Sequence, residues 1–447
     1  MSFDPDTIET FRYDGFELDA SSATLTCRYT LDDWHFAERV TFDPGGEWTH
    51  PAVLRAARLV YLLTGVSYYK AAGPPVIDLG DERLTAGERA LLRQFYVDGL
   101  GEYAFRNDLD LSTVEFSARS AAPSPVRASV DNDRPLVPFG GGLDSIVTTE
   151  LVRARRSDTA LFVVSRAGDR FDAIEDAALA TGLPVVRAGR ALDAQILNSR
   201  ALGFRNGHVP VTGILSAIAV MAAVLAGRGT VVMSNEWSAS MGNVDVGGRL
   251  VNHQYSKSYA FEAAFRAVLA ETFTDGPDYF SLLRPLSELR IAQLFREMPQ
   301  YHRVFRSCNR AFHIDRAQRL DHWCGVCDKC CFVDLILAPF LAASELDAIF
   351  SGHEPLRNAS LGQQFRTLIG RTSDFKPFEC VGDVDECRAA VILAADRPDR
   401  ATTVLLHDLA RELAPQRDRI AAHIPHLLRP MGAHFIPDDY ATAALVD

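Results

Sequence analysis

The chain has 447 residues, with 46 Lys+Arg against 58 Asp+Glu and a formal charge of −12. Apolar residues at 47% and charged residues at 23% are ordinary for folded proteins, and the length is enough for two or three domains. These values exclude a mostly disordered chain, and the acidic balance disfavours a broad, non-specific grip on nucleic acid.

Residues 1–125 begin with strand-like runs, Phe11 to Leu18, Ala23 to Tyr29 and His35 to Phe42, broken by polar and Gly turns. Helical patterns follow near His50 to Thr64 and Thr85 to Tyr103, so an N-terminal α+β domain is expected. The stretch Ala121 to Pro135, rich in Ser, Pro and Asp, reads as a linker. From Leu136 the rhythm becomes strand, loop, helix: a strand to Phe139, a helix over Ile146 to Ala154, strands at Ala160 to Val164 and Pro184 to Ala188 around a helix at Ala173 to Thr181. A helix from Thr212 to Ala226 and a strand from Val231 to Ser234 complete it. This alternation predicts an α/β domain with a parallel sheet over residues 130–340. Residues 341–447 read as mainly helical.

The terminus MSFDPDTIETF has no basic leader before an apolar run, so no signal peptide is expected. The longest apolar stretch, Ile214 to Ala226, is too short to cross a bilayer. A cytoplasmic protein without membrane contact is expected; the oligomeric state is not legible.

Phe139-Gly140-Gly141-Gly142-Leu143-Asp144-Ser145 stands directly between a strand and a helix. Consecutive glycines let backbone N–H groups converge on an anion, and the helix N-terminus adds its donors and dipole. No Lys follows, which rules out the GxxxxGK[ST] cradle. Ser165, Asn235 and Glu236 sit at strand carboxyl ends, where ligands of open α/β sheets collect. Gly140, Gly141, Gly142, Asp144, Ser145, Ser165, Asn235 and Glu236 are therefore the candidate nucleotide-binding residues. Arg205 and Asn206, in a segment ending at His208, and Tyr255 and Lys257 are candidate substrate contacts.

Five of the eight cysteines fall between Cys308 and Cys331. Cys308, Cys324, Cys327 and Cys330 have spacing suited to a closed four-thiolate zinc site, structural rather than hydrolytic, with Cys331 the alternative fourth ligand. Cys380, in the segment FECVGDVDEC, and His208 are the candidate acid/base groups, alongside the plainer reading of Cys380 as a structural cysteine.

The glycine motif resembles the SGGxDS loop of the PP-loop ATP pyrophosphatases, with Gly140 where that family usually carries Ser. The resemblance implies a loop that holds the β- and γ-phosphates of ATP while a substrate oxygen attacks the α-phosphorus. Loop and cysteines together, with Arg284-Pro285-Leu286 before a helix, resemble 7-cyano-7-deazaguanine synthase over residues 130–340. A fuller resemblance, covering nearly the whole chain, is to the ATP-dependent UDP-N-acetylmuramoyl-L-alanyl-L-glutamate epimerases, the MurL family of peptidoglycan synthesis. It rests on FRYDGFEL at Phe11 to Leu18, FGGGLDS, SNEWSAS at Ser234 to Ser240, CGVCDKC, and KPFECVG at Lys376 to Gly382. It implies ATP, Mg²⁺ and structural Zn²⁺, a UDP-MurNAc-dipeptide substrate, and epimerisation through an acyl adenylate.

Two other readings are open at this level. One is a PP-loop enzyme forming an amide, nitrile or thio group on a nucleobase or tRNA, although no glutaminase-like or rhodanese-like segment is present. The other is a zinc-dependent nucleic-acid-binding module using Arg303, Arg306, Arg310, Arg316 and Arg319.

Overall fold

The computed structural model describes residues 3–242, 244–246, 249–313, 315–372, 381–441 and 445, with backbone only at 244–246 and 249–250. Alternating apolar residues near the amino terminus form a three-stranded antiparallel meander of β1 (Thr10–Asp19), β2 (Thr24–Leu31) and β3 (Trp34–Phe42). Helix α1 (Pro51–Thr64) starts on Pro51 with the His50 side chain accepting from the Ala52 amide, and its apolar face is buried. After β4 (Val76–Leu84), Thr85 and Glu88 form a reciprocal capping box that starts α2 (Ala86–Val97). The single helix expected to Tyr103 is instead two, α2 and α3 (Gly101–Arg106). The break falls at Gly99, where a Cβ would lie 2.2 Å from the Phe95 carbonyl oxygen. Strand β5 (Glu115–Ser120) closes this part.

The alternating segment follows as β6 (Asp131–Pro138), α4 (Leu143–Arg153), β7 (Ala160–Arg166), α5 (Asp172–Thr181), β8 (Val185–Ala191), α6 (Val211–Leu225), β9 (Arg228–Met233), α7 (Tyr259–Thr272) and β10 (Asp278–Ser281). The expected linker therefore already contains the start of β6 at Asp131. Helices α8 (Glu288–Phe295) and α9 (Asp328–Leu337) lead to the C-terminal helices α10 (Val384–Ala395), α11 (Val404–Leu413) and α12 (Arg417–Leu427). No helix among the described residues is long and apolar enough to cross a membrane.

All ten strands named above lie in one sheet, in the order β10-β9-β6-β7-β8-β3-β2-β1-β4-β5. Neighbours are parallel except at β8–β3, β3–β2 and β2–β1. Residues 1–125 and 130–340 thus share a sheet, joined where Arg39 to Phe42 pair with Ala188 to Ala191. Alternate residues of the central strands enter two cores. Leu136, Phe162, Val231 and Tyr279 face one core with α1, α6 and α7, whereas Val137, Leu161, Val232 and Phe280 face the other with α4, α5, α8, α9 and the C-terminal helices. The result is a mixed α/β architecture with a large, mostly parallel sheet and a helical C-terminal region. Among β6 to β10 the chain order reverses between β6 and β9, and that reversal leaves a crevice at their carboxyl ends.

Candidate active site

Both strands at the reversal end in residues singled out from the sequence. Phe139 to Gly142 connects β6 to α4, and Ser234-Asn235-Glu236 follows β9. Gly141 has φ of +74°, and a Cβ there would lie 2.4 Å from the Ala173 carbonyl oxygen. Only glycine fits that position. A Cβ on Gly140 would meet nothing within 4 Å, and one on Gly142 would meet only Ser307 Cβ at 3.5 Å. Gly142 is the N-cap residue of α4, and among the described residues no side chain caps the first turn, which leaves its N–H donors for an anion. The Ser145 hydroxyl is buried and donates to the Gly142 carbonyl at 3.0 Å. The Gly141 carbonyl accepts from the Arg306 amide at 3.1 Å, fixing the loop against the cysteine-bearing segment.

Three carboxylates converge beside this loop. Asp144, Glu236 and Glu288 bring ligand oxygens within 4.8 Å of one another, and Glu236 and Glu288 are only 4% and 5% exposed. Burial, then the charges of Asp144 and Glu236, push the Glu288 carboxyl well above the usual carboxylate range, against the opposing pull of Lys329. Burial likewise raises Glu386, to about 8, and its carboxylate accepts from the Glu288 amide at 3.1 Å. Hard oxygen ligands with converging charge suit a divalent cation such as Mg²⁺. The Ser234 hydroxyl, next to Asn235, is buried with no hydrogen-bond partner among the described residues, as a polar group awaiting a ligand would be.

A buried ion pair holds the rim in place. The Arg284 guanidinium, 2% exposed, donates to Glu262 at 3.0 Å, to the Glu236 carbonyl at 2.9 Å and to the Lys257 carbonyl at 2.5 Å. The Ser281 hydroxyl donates to the Asn235 carbonyl at 2.6 Å. From the C-terminal region, the Met431 amide donates to the Pro285 carbonyl at 2.7 Å, and the Leu427 carbonyl accepts from the Ser287 hydroxyl at 2.6 Å. The helical region thereby braces the turn that presents Glu288.

Cys308, Cys324, Cys327 and Cys330 form one cluster with sulfur ligand atoms within 4.8 Å of one another. The Cys330 sulfur is 3.6 Å from that of Cys324 and 3.5 Å from that of Cys327. Four thiolates about 2.3 Å from a tetrahedral zinc ion would stand about 3.8 Å apart, so this set fits zinc closely. Gly325, at φ of +66°, makes the turn between the first two ligands of CGVC. Cys331 is buried next to this cluster but is not one of its four members, and Cys27 is buried in the other core. The cysteine turn also sets Ser307 beside Gly142 and Lys329 near Glu288.

The other expected residues are distributed as follows. Ser165 lies within β7, which runs on to Arg166, and is half-buried. Arg205 is engaged by Asp6 and the Ala72 carbonyl, and Asn206 accepts from Lys70 at 2.7 Å. Tyr255 is a core residue whose hydroxyl donates to Gln94 at 3.0 Å. Lys257 is half-buried at the carbonyl held by Arg284. His208 lies against His253 with ring centroids 4.0 Å apart and planes tilted by 41°, and Glu102 completes that group. Cys380 lies outside the described residues. Of the basic stretch, Arg306 is paired with Asp176 at 2.6 Å and Arg319 with Asp169 at 2.5 Å, so those charges are already spent within the protein. Glu288, Lys329, Glu102 and His253 join these groups without having been expected from the sequence. The helix start signalled by Ser287, whose hydroxyl accepts from the Arg290 amide, is the one clue to Glu288.

Comparison with known proteins identifies the family. Models of the MurL N-terminal domain and the MurL C-terminal domain match residues 2–282 and 304–423. UDP-N-acetyl-alpha-D-muramoyl-L-alanyl-L-glutamate epimerase from Xanthomonas oryzae pv. oryzae is 38% identical, covering 98% of this chain and 97% of its own. The enzymes of the same name from a Micromonospora species and Salinispora tropica are 37% and 36% identical, covering 98% of this chain and 98% and 95% of theirs. No solved structure matches. With both domain models matched in order and relatives alike from end to end, the chain belongs to the MurL family of epimerases.

Proposed function

We propose that this epimerase inverts the terminal L-glutamate of UDP-N-acetylmuramoyl-L-alanyl-L-glutamate, a peptidoglycan precursor, through an acyl adenylate formed from ATP. The observation that carries this reading is the trio of half-buried Asp144 with buried Glu236 and Glu288 beside the glycine loop at the sheet's reversal. Such a site suits a polyphosphate accompanied by a divalent cation, as in a PP-loop ATP pyrophosphatase. The substrate follows from the names of the relatives and their end-to-end likeness.

A free carboxylate resists loss of the neighbouring α-proton, because its charge opposes a carbanion. In the proposed reaction a glutamate carboxylate oxygen attacks the α-phosphorus of ATP, and the bond to pyrophosphate breaks. The resulting mixed anhydride no longer carries that charge. A base then takes the α-proton, a proton is added to the opposite face, and water cleaves the anhydride to AMP and D-glutamate. Backbone donors of Gly140 to Gly142 and the first turn of α4 hold the phosphates. Asp144, Glu236 and Glu288 would hold Mg²⁺, which supplies charge neutralisation for the phosphates. Zinc on the four cysteines would hold Ser307 and Lys329 against the loop, leaving no open position for a reactant.

The test is incubation with the dipeptide nucleotide and Mg²⁺, with and without ATP, followed by acid hydrolysis and chiral analysis of the glutamate. D-glutamate only in the ATP sample is expected. D-glutamate formed equally well without ATP would refute the adenylate route, and only L-glutamate in both would refute the epimerisation.

A further inference from the structure

In the proposed reaction the glycine loop serves activation, and Asp144, Glu236 and Glu288 are assigned to the cation rather than to the α-proton. A second group of titratable side chains lies where α3, the loop before α6 and the turn after His253 meet. Glu102, on α3, is 7% exposed; one carboxylate oxygen accepts from Arg106 Nε at 2.6 Å, and the other contacts His253 Nδ1. The His208 and His253 rings are in contact, with centroids 4.0 Å apart and planes tilted by 41°.

The segment carrying His208 is firmly held. The Arg205 amide donates to the Ala71 carbonyl at 2.8 Å, and Asn107 donates to the Asn206 carbonyl at 3.1 Å. Gly207 presses against the Tyr103 ring, which would lie 3.0 Å from a Cβ. His253 is equally fixed, because Asn252 beside it donates to the Ala239 carbonyl at 3.0 Å. That bond, with the Arg284 bridge between the Glu236 and Lys257 carbonyls, ties the histidine pair to the loop that bears Glu236. A pocket of about 220 Å³ is lined by Gly101, Ser240, Asn252 and Tyr255, among others, and so by the chain neighbours of Glu102 and His253.

The chemistry around the pair favours a proton acceptor in an electropositive setting. Burial first, then the charges of His253, Lys257 and Lys70, hold His208 down at about 4 against the opposing pull of Glu102, so its imidazole is neutral near pH 7. The ligand atoms of Glu102, His208 and His253 lie within 4.8 Å, a spacing a metal ion could also use. However, Arg106 already neutralises the carboxylate, and Lys70 and Lys257 repel a second cation. The same lysines favour an anionic substrate and the negative charge that grows when an α-proton leaves.

We infer that His208 is the catalytic residue that takes up the α-proton of the activated glutamate, with His253, oriented by Glu102, as its positioning partner. The inference rests on the proposed epimerisation. An imidazole nitrogen of His208 accepts the proton, and the C–H electron pair becomes the Cα–C double bond of an enolate whose oxygen takes the carbonyl π pair. Addition of a solvent-derived proton to the opposite face restores the carbonyl with D configuration.

The experiment runs wild type, His208→Ala and Glu102→Gln in D₂O with ATP, Mg²⁺ and the dipeptide nucleotide. It measures deuterium at the glutamate α-carbon by mass spectrometry and, separately, substrate-dependent ATP–pyrophosphate exchange. His208→Ala should lose label uptake by roughly 100- to 10,000-fold while still exchanging pyrophosphate. Added imidazole should restore part of the labelling, which a structural defect would not permit. Glu102→Gln should lower the rate of labelling at saturating substrate with the KM little changed. Labelling by His208→Ala at the wild-type rate overturns the inference. So does joint loss of both exchanges without imidazole rescue, or a metal ion beyond zinc that disappears with His208. If wild type itself incorporates no label with ATP present, the epimerisation fails, and this assignment with it.

Discussion

Replacing the three loop glycines one at a time should give three different outcomes, because their surroundings differ although they are adjacent. Gly141→Ala forces a side chain into φ of +74°, a left-handed conformation that costs about 1–2 kcal/mol. Its Cβ would also lie 2.4 Å from the Ala173 carbonyl and 3.0 Å from Ile174 Cα, so the start of α5 must shift, adding about 1–3 kcal/mol of overpacking. A loss of about 2–5 kcal/mol is expected, read as a lower urea midpoint. Gly142→Val has no such conflict at φ of −88°, with Ser307 at 3.5 Å. It should fold normally yet lose pyrophosphate release, because its methyls crowd the site where phosphate meets the helix N-terminus. Gly140→Ser, with nothing within 4 Å of its Cβ, should be tolerated in both measurements. Unchanged pyrophosphate release by a folded Gly142→Val would remove the loop from the active site, and an unaltered urea midpoint for Gly141→Ala would refute the steric argument.

Other perturbations test the parts around the loop. Cys324→Ser or Cys327→Ser should lose zinc by elemental analysis and melt at lower temperature, because binding there is coupled to folding; an unchanged zinc content would count against the site. Arg284→Met leaves Glu262 charged and buried, and should lower stability by about 3–5 kcal/mol in urea, with Arg284→Met/Glu262→Leu recovering part of the loss. Because His208 is held at about 4, below its ordinary value near 6.5, α-proton exchange should show no histidine limb near pH 6.5 and should fall only toward pH 4. By the same sign, the unfolded chain takes up that proton more readily, so the His208 contribution erodes stability as pH falls from 6.5 toward 4. Lys257→Met, removing one of the cations that depress it, should move the limb upward; no movement would separate Lys257 from His208.

What could be read from the sequence was what local spacing dictates. Alternation gave β1 to β3 within a few residues, and the FGGG turn marked the crossing from β6 to α4. Two overlapping CxxC units and Cys308 announced a cluster, although choosing between Cys330 and Cys331 required knowing which sulfur the first turn of α9 brings to the other three. The start of β6 was obscured because Asp131 to Asp133 are exposed and polar, carrying no apolar signal at a strand end. The single sheet was also hidden, since pairing of Phe42 with Ala188 depends on contacts far apart in the chain. Glu288 and the Glu102–His208–His253 group belong to no motif; the fold brings them together from different elements. His208 was legible only as an isolated histidine in a polar segment, and its partners emerged from the packing of α3 against the turn after β9.

In the proposed reaction activation and inversion are coupled on one substrate. Following AMP, pyrophosphate and D-glutamate together through a time course with the dipeptide nucleotide, ATP and Mg²⁺ tests that coupling. Pyrophosphate and AMP should accumulate in step with D-glutamate, with no ammonia or sulfur donor required. AMP formed while all glutamate stays L, or D-glutamate formed with ATP intact, would contradict it.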